Sequence, residues 1–546
     1  MRVAIAIALG TGFVPAALCQ SILFENATSA AGLDFPLQFV RAGVAVGDVD
    51  GDGWQDVCFF GGTATGPRLF HNNGDGTFSD ATALAFPDGG VDSVLGLLAD
   101  MDNDGDADLV MIRRRNGDYN DNHFAYARND GGVYTTVSQG EPLAVDRTHQ
   151  LGGMAIGDVD VDGDLDVVVA YQFGMALCLL NDGAGAFSDG TAAFGANLAT
   201  NRPFWSITLA DFNGDLLPDL HATVDGEPDY HARNIGGGAF IDVSTESGVT
   251  NVGSDMGLAV GDVQNDGDLD IYSTNIAFGV LYINNGGDVF RNRAAGRGCD
   301  QFANIGWGAD FGDFDHDGDE DLAVVTFGGG GPLFENDGTG RFSDVSATAG
   351  IFLAGQAFVP FDYDRDGDLD ALVVNLIGVP RLYRNISPGL PDRHWLIVRA
   401  RGVQANRDGV GSRITVTTTD GTQMREVLGT TSFYSGRPPV AHFGLGAAEV
   451  VDSLTVRWNS GAGRTLTAVE ADQELTVSEP LMRDGRLVGD ADADGDVDLD
   501  DLTALLIHFD SQNATAAEGD SDGDGDVDLT DLAVFLAQFG ADLIST

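Results

Sequence analysis

The chain has 546 residues, room for several domains, and its 84 acidic against 28 basic residues leave a formal net charge of −56. Nucleic acid and anionic membranes both need a cationic face and are therefore poor partners; cations are the natural counterpart. Every basic residue is arginine, which excludes Schiff-base lysines, a Walker-type phosphate lysine and a Ser–Lys dyad.

The first nineteen residues read as a cleaved leader. Arg2 precedes an apolar run broken by Gly10, Gly12 and Pro15, too short and interrupted for a comfortable span. The mature protein is therefore expected outside the cell, secreted or at the surface. Cys19, Cys58, Cys178 and Cys299 give neither a disulfide nor a zinc framework.

A nine-residue acidic loop then recurs. Its first copy carries Asp48, Asp50, Asp52, Trp54 and Asp56 at odd positions and Gly53 at position 6. Carboxylates on alternate residues of a tight turn converge on one point and suit Ca²⁺, which takes six to eight oxygens; the position 7 backbone carbonyl adds another. The odd positions of the next copies are Asp100, Asp102, Asp104, Asp106, Asp108; then Asp158, Asp160, Asp162, Asp164, Asp166. The fourth has Asp211, Asn213, Asp215, Leu217, Asp219, and the fifth Asp262, Gln264, Asp266, Asp268, Asp270. Asp313, Asp315, Asp317, Asp319, Asp321 and Asp362, Asp364, Asp366, Asp368, Asp370 complete the set. The loops begin 49 to 58 residues apart, which marks a repeat architecture. One such loop is ordinarily a solvated turn; seven in register are not. Asn213, Gln264, and Leu216 in place of glycine predict that the fourth and fifth sites are the weakest.

Each repeat follows one plan. A strand of small apolar residues (43–47, GVAVG) enters the loop and a buried strand (56–60, DVCFF) leaves it. A third strand ends at asparagine (69–73, LFHNN), and a fourth starts at an aromatic residue (78–80, FSD). Four short strands per repeat with Gly-rich turns predict propeller blades, the first strand lining the axis. The seventh repeat lacks a fourth strand, and residues 24–33 parallel 342–351, so the N-terminal strand is expected to close the ring. The repeats resemble the FG-GAP or VCBS-type repeats of the integrin α-subunit head over roughly 20–388. That resemblance implies a seven-bladed β-propeller with one structural Ca²⁺ per loop and an extracellular protein or glycan ligand bound elsewhere. The segments 116–130 and 225–233 are the candidate recognition loops.

From residue 393 the acidic loops stop and period-two alternation predicts a small all-β domain with strands at 395–401, 413–419, 424–428, 454–458, 466–469 and 475–477. The stretches 394–396 (HWL), 406–411 (NRDGVG), 425–427 (REV) and 442–446 (HFGLG) resemble the ASPIC/UnbV domain of cartilage acidic protein-like chains, over about 393–479. Ser412 departs from the alanine usual there. His394 and His442 offer a catalytic pair, but hydrogen bonding within the β fold is the better reading, since no nucleophile elbow or zinc spacing accompanies them.

Residues 480–488 read as a charged linker. Two twelve-residue loops follow, with acids at 1, 3, 5, 7, 9 and 12: Asp490, Asp492, Asp494, Asp496, Asp498, Asp501 and Asp520, Asp522, Asp524, Asp526, Asp528, Asp531. This is EF-hand spacing, and each loop leads into one apolar helix, at 502–509 and 532–539. The duplicated loop–helix unit over 489–541 resembles a type I dockerin, which implies two further Ca²⁺ and a cohesin-type partner. Leu499, Asp500, Leu529 and Thr530 depart from the Ser/Thr pair common at those positions, which bears on the partner rather than the fold.

The expected function is a secreted, calcium-binding recognition or adhesion platform with a tethering tail, not an enzyme. The alternatives are an extracellular polysaccharide lyase or glycoside hydrolase with a rim active site, or a purely structural matrix protein. No acid pair stands apart from the loops to support the enzyme.

Overall fold

Short apolar strands on either side of an acidic loop zip into a hairpin. In the first repeat Gly43–Gly47 pairs antiparallel with Asp56–Phe60, and Gly47 opposite Asp56 closes the loop. Both strands are buried along their whole length, which is why they read as continuous apolar runs. Arg68–Asn72 and then Phe78–Asp80 add outward. The computed structural model describes residues 22–38, 43–61, 66–87, 89, 93–114, 122–137, 151–174, 176–194, 202–375, 377–388, 393–430, 432–483 and 486–542, so the expected leader lies outside the described residues.

The same four-strand order repeats along the chain. Ser93–Ala99, Asp108–Arg114, Asn122–Asn129 and Tyr134–Val137 form the second unit. In the last unit Ala357–Phe361, Asp370–Val374 and Arg381–Asn385 are completed by Phe24–Asn26, which pairs antiparallel with Arg381–Asn385. The apolar cores lie between neighbouring units. Val168 and Ala170 of the third pack with Leu209 and Leu220 of the fourth, and Phe24 packs with Phe314, Val325 and Val373. Glycines at the first strands let these units approach: a Cβ on Gly257, just ahead of Leu258–Gly261, would stand 1.7 Å from the carbonyl oxygen of Trp307.

The asparagine that ends each third strand stitches one unit to the one before. Asn129 Nδ2 donates to the carbonyl of Ala107 beside its own loop and to that of Val49 in the preceding one, at 2.9 and 2.6 Å. Asn181, Asn234, Asn284, Asn336 and Asn385 reach Met101, Val159, Phe212, Val263 and Phe314 in the same way. Asn72 of the first unit reaches Tyr363 of the last. We expect Asn129→Ala to leave two buried carbonyls without donors and to cost about 2–3 kcal/mol, read by chemical denaturation; a cost below about 0.5 kcal/mol would contradict the stitching role.

The two segments expected to be recognition loops are largely strand. Residues 122–129 are the third strand of the second unit, and 116–121 lie outside the described residues. Residues 225–228 end the long strand Asp219–Pro228, which runs past its hairpin to pair with Val252–Ser254, and 230–233 belong to Tyr230–Asn234. Residues 124–127 are buried without a break and Tyr230–Asn234 nearly so, so their aromatic content is core rather than a recognition surface.

The following domain has two sheets. His394–Arg401 lies between Ala441–Gly446 and Gln473–Ser478, and Arg413–Thr418 pairs with Gly421–Glu426 and Val450–Arg457. The strand expected at 424–428 begins at Gly421 and ends at Glu426, and Ala441–Gly446 is a strand the alternation did not show. Trp458, Phe443, Val398 and Ile414 fill the core between the sheets. A segment of this domain enters the repeats: Ser435 and Gly436 pair in parallel with Val44 and Ala45. Phe433 packs on Trp205 and Trp307, and the Tyr434 hydroxyl donates to the Leu151 carbonyl at 2.9 Å. First strands of several units thus share this plug.

The described residues of the stretch expected to be a linker, 480–483 and 486–488, include two short paired strands. Met482–Arg483 pairs with Arg486–Leu487, and Leu487 is buried with Val497, Leu505, Val527 and Phe535. The C-terminal helices run Leu499–Ile507 and Leu529–Gln538, starting three residues ahead of expectation. Asp498 and Asp528 accept from the backbone as N-caps and form capping boxes with Asp501 and Asp531, so the last loop positions are already the first helical turn. Ala541–Asp542 returns to pair with Gly463–Glu470.

Candidate metal centres

Backbone geometry and carboxylates build each nine-residue loop together. The position 1 carboxylate accepts the amide of position 6: Asp48 from Gly53 at 2.9 Å, Asp100 from Gly105 at 2.8 Å and Asp362 from Gly367 at 2.9 Å. Gly53, Gly105 and Gly367 all have positive φ, which is why glycine belongs there. The position 9 carboxylate is shared between the third-strand asparagine amide and position 2. Asp56 accepts from Asn72 N at 2.7 Å and from Val49 N at 3.1 Å.

Position 3 is different. Asp102, Asp160 and Asp364 each keep a buried Oδ1 without any hydrogen-bond donor. Positions 1, 3 and 9 also converge: ligand oxygens of Asp100, Asp102 and Asp108 lie within 4.8 Å of one another, as do those of Asp158, Asp160, Asp166 and of Asp313, Asp315, Asp321. In the first loop Asp48, Asp50 and Asp52 make such a group. Burial, and behind it mutual repulsion, pushes Asp108 up to about 7, Asp166 to about 8 and Asp362 to about 7. Converging, buried, donor-poor carboxylates fit a hard divalent cation, whose charge removes the repulsion. Such an ion would be held by positions 1, 3, 5 and 9 and the position 7 carbonyl.

The two degenerate loops satisfy themselves instead. Asn213 Nδ2 donates to Asp215 at 3.0 Å, and Gln264 Nε2 to Asp266 at 2.9 Å. Leu216 takes the position 6 role at φ 68° and still donates to Asp211. We expect Gln264→Asp to tighten cation binding at the fifth loop by about tenfold, and Asp160→Asn to weaken the third by at least as much, read by calorimetric titration.

Sequence reasoning missed the residue across from the carboxylates, one before the stitching asparagine. In the first loop it is His71, whose Nδ1 stands 3.2 Å from Asp56 Oδ1 and 3.4 Å from Asp50 Oδ2. In the seventh it is Arg384, paired with Asp364 and Asp366 at 2.9 Å each. Its place before the asparagine was the available signal.

Sequence reasoning also missed what covers these loops. The β domain sits on them. Asp408 accepts from Asp100 N at 2.8 Å, Glu426 from Asp211 N at 3.0 Å, and Asn459 donates to Asp158 at 3.0 Å. Arg413 pairs with Asp211 at 3.3 Å and Arg425 with Glu320 at 3.1 Å. His394 and His442 have separate partners: His394 meets Asp472 at 2.8 Å, and His442 meets the Gly367 carbonyl at 2.9 Å.

In the C-terminal module, Asp490 accepts from Gly495 N at 3.2 Å and Asp520 from Gly523 N at 2.8 Å. Asp501 is buried and accepts from Ala491, Asp492 and Asp498, as Asp531 does from Ser521, Asp522 and Asp528. Asp490 and Asp496 each retain a buried oxygen without a donor.

Residues 48–111, 100–169, 158–222 and 313–373 match the FG-GAP-like repeat family, and 402–483 match ASPIC and UnbV. The chain is thus a mostly β protein of FG-GAP propeller-like repeats with an ASPIC/UnbV domain. The loop with Gln264 falls outside the matched repeats. Cartilage acidic protein 1 of Xenopus tropicalis is similar, 23% identical over 69% of this chain and 71% of its own length. The Mus musculus protein of that name is 24% identical, over 51% of this chain and 53% of its length. Among solved structures, an Agrocybe aegerita lectin recognising non-reducing terminal N-acetylglucosamine superposes with a TM-score of 0.41 at 21% identity, covering 56% of this chain and 79% of that one. That is too loose a likeness to bear on ligand.

Proposed function

We propose that this chain is a secreted, calcium-stabilised recognition platform of the extracellular matrix type: a closed seven-bladed propeller capped by its ASPIC/UnbV domain and tethered by a dockerin-like tail. The observation that carries it is the convergence, loop after loop, of buried carboxylates whose position 3 oxygen has no donor. The cycle of asparagine bonds from Asn72 round to Tyr363 supports seven blades and closure. Likeness to cartilage acidic proteins supports an extracellular setting, and among the described residues no helix is long and apolar enough to cross a membrane.

The tail supports tethering through its surface. Equivalent positions of the two helices present leucines to solvent: Leu499 and Leu529 are 64% and 71% exposed, Leu506 and Leu536 56% and 61%. A duplicated apolar face beside two acidic loops suits a cohesin-type partner. Leu506→Asp with Leu536→Asp is expected to weaken capture by a panel of cohesin modules about a hundredfold, without altering the Ca²⁺ content. Unchanged capture would remove the tether from this reading.

Recognition of a protein or glycan, rather than turnover, is the proposed activity of the repeats. An array of glycans and matrix proteins probed with and without Ca²⁺ tests it. Calcium-dependent retention without chain cleavage is the expected result; depolymerisation of any polysaccharide would favour a lyase or hydrolase.

A further inference from the structure

His316 stands at position 4 of the sixth loop, with φ at 57°. Its imidazole meets that of His442 from the ASPIC/UnbV domain, ring centres 5.2 Å apart and planes inclined by 41°. The His316 side chain is fully buried, and neither ring nitrogen has a hydrogen-bond partner. Asp368 Oδ1, of the seventh loop, lies 3.7 Å from His316 Nε2, beyond a hydrogen bond.

The tautomer of His442 follows from its partner. Nε2 lies 2.9 Å from the carbonyl oxygen of Gly367, and a carbonyl only accepts, so Nε2 carries the proton. Nδ1 is left with its lone pair, buried and without a partner. A ligating histidine is normally held this way, its other N–H donated to a carbonyl or carboxylate. With Zn–N distances of about 2.0–2.1 Å, two imidazoles on one tetrahedral ion have ring centres about 5 Å apart and donor atoms about 3.4 Å apart. The observed ring-centre spacing of 5.2 Å matches the first of these, and His316 Nε2 to Asp368 Oδ1, at 3.7 Å, is within a few tenths of an ångström of the second.

We propose that His316, Asp368 and His442 form a transition-metal site, of the Zn²⁺ class, between the sixth and seventh repeats and the ASPIC/UnbV domain. Imidazole nitrogens select borderline ions such as Zn²⁺, whereas the all-oxygen loops select hard ones, so the two metals do not compete for one place. The Asp368 side chain is surplus to its own loop, where position 7 supplies its backbone carbonyl. An ion here fastens the second domain to two repeats at once, next to the bond from Gly446 N to the His316 carbonyl at 2.9 Å. It also satisfies one ring nitrogen of each histidine, His316 Nε2 and His442 Nδ1, that otherwise sits buried and unpaired.

The full-length chain, saturated with Ca²⁺, is titrated with Co²⁺ while its visible spectrum is followed, and Zn²⁺ retained after dialysis is counted by elemental analysis. The expected result is one equivalent of Co²⁺ with the intense bands of a four- or five-coordinate site, displaced by one Zn²⁺. His316→Gln and His442→Gln are each expected to lower Zn²⁺ affinity by at least about tenfold, with circular dichroism and Ca²⁺ content unchanged. Should a variant fold poorly, the imidazole nitrogen NMR shifts of the intact wild type, followed as one equivalent of Zn²⁺ is added, give the same information: ligation moves the resonances of two histidines, and unmoved resonances overturn the site. A wild type that retains neither ion, or variants that retain both as well as the wild type does, overturns the site.

Discussion

Removing divalent ions at neutral pH is expected to lower the melting temperature of the chain by on the order of 15 °C. An ion present at a hundred times its Kd adds about 2.7 kcal/mol of stability per site. Five of the nine-residue loops keep a full set of acids, so the sum exceeds about 10 kcal/mol, and a unit this long moves by somewhat over 1 °C per kcal/mol. The pH dependence should also change sign. Burial raises Asp108, Asp158 and Asp362 to about 7 and Asp166 to about 8, against 3.8 unperturbed. Between about pH 4 and 8 the ion-free folded state therefore binds more protons than the unfolded chain and loses stability as pH rises. With Ca²⁺ present, protons compete with the ion for the same oxygens, and stability rises with pH. Calorimetric scans from pH 5 to 8, in chelator and in Ca²⁺, check both signs; parallel curves would contradict the loops as cation sites.

Deleting residues 22–33 is the second large effect. Ile22, Phe24 and Leu33 are each 3% exposed or less, and burying such side chains is worth about 1.5–3 kcal/mol apiece. The deletion also strips Arg381–Asn385 of its partner strand, at the register Phe24 opposite Asn385. We expect a loss of at least about 5 kcal/mol, together with self-association through the bared edge. Scanning calorimetry and sedimentation of the truncated chain measure the two. An unchanged melt from a monomer would mean that the N-terminal strand closes nothing.

The parts legible in the sequence are those set by neighbours in the chain. The hairpin of Gly43–Gly47 with Asp56–Phe60 and the closing strand at Phe24 both follow from local pattern repeated at a fixed period. What the sequence hid depends on contacts across hundreds of residues. Arg407, Arg425, Glu426 and His442 stood out as motif residues. Nothing in their spacing says that they face the acidic loops of another domain, as Glu426 faces Asp211 and His442 faces Gly367. The plug at Ser435 and Gly436 carries no periodic signal, because only two residues pair. The helix starts at Leu499 and Leu529 were displaced by a capping box that overlaps the metal-loop spacing.

The reading as a whole turns on how many cations the carboxylates hold. Equilibrium dialysis of the full-length chain against micromolar free Ca²⁺ counts them directly. The expected count is at least seven, from five complete nine-residue loops and two C-terminal ones, rising to nine as the loops with Asn213 and Gln264 fill at higher Ca²⁺. A count of two or fewer would contradict it, since the converging aspartates of the repeats would then be no more than solvated turns.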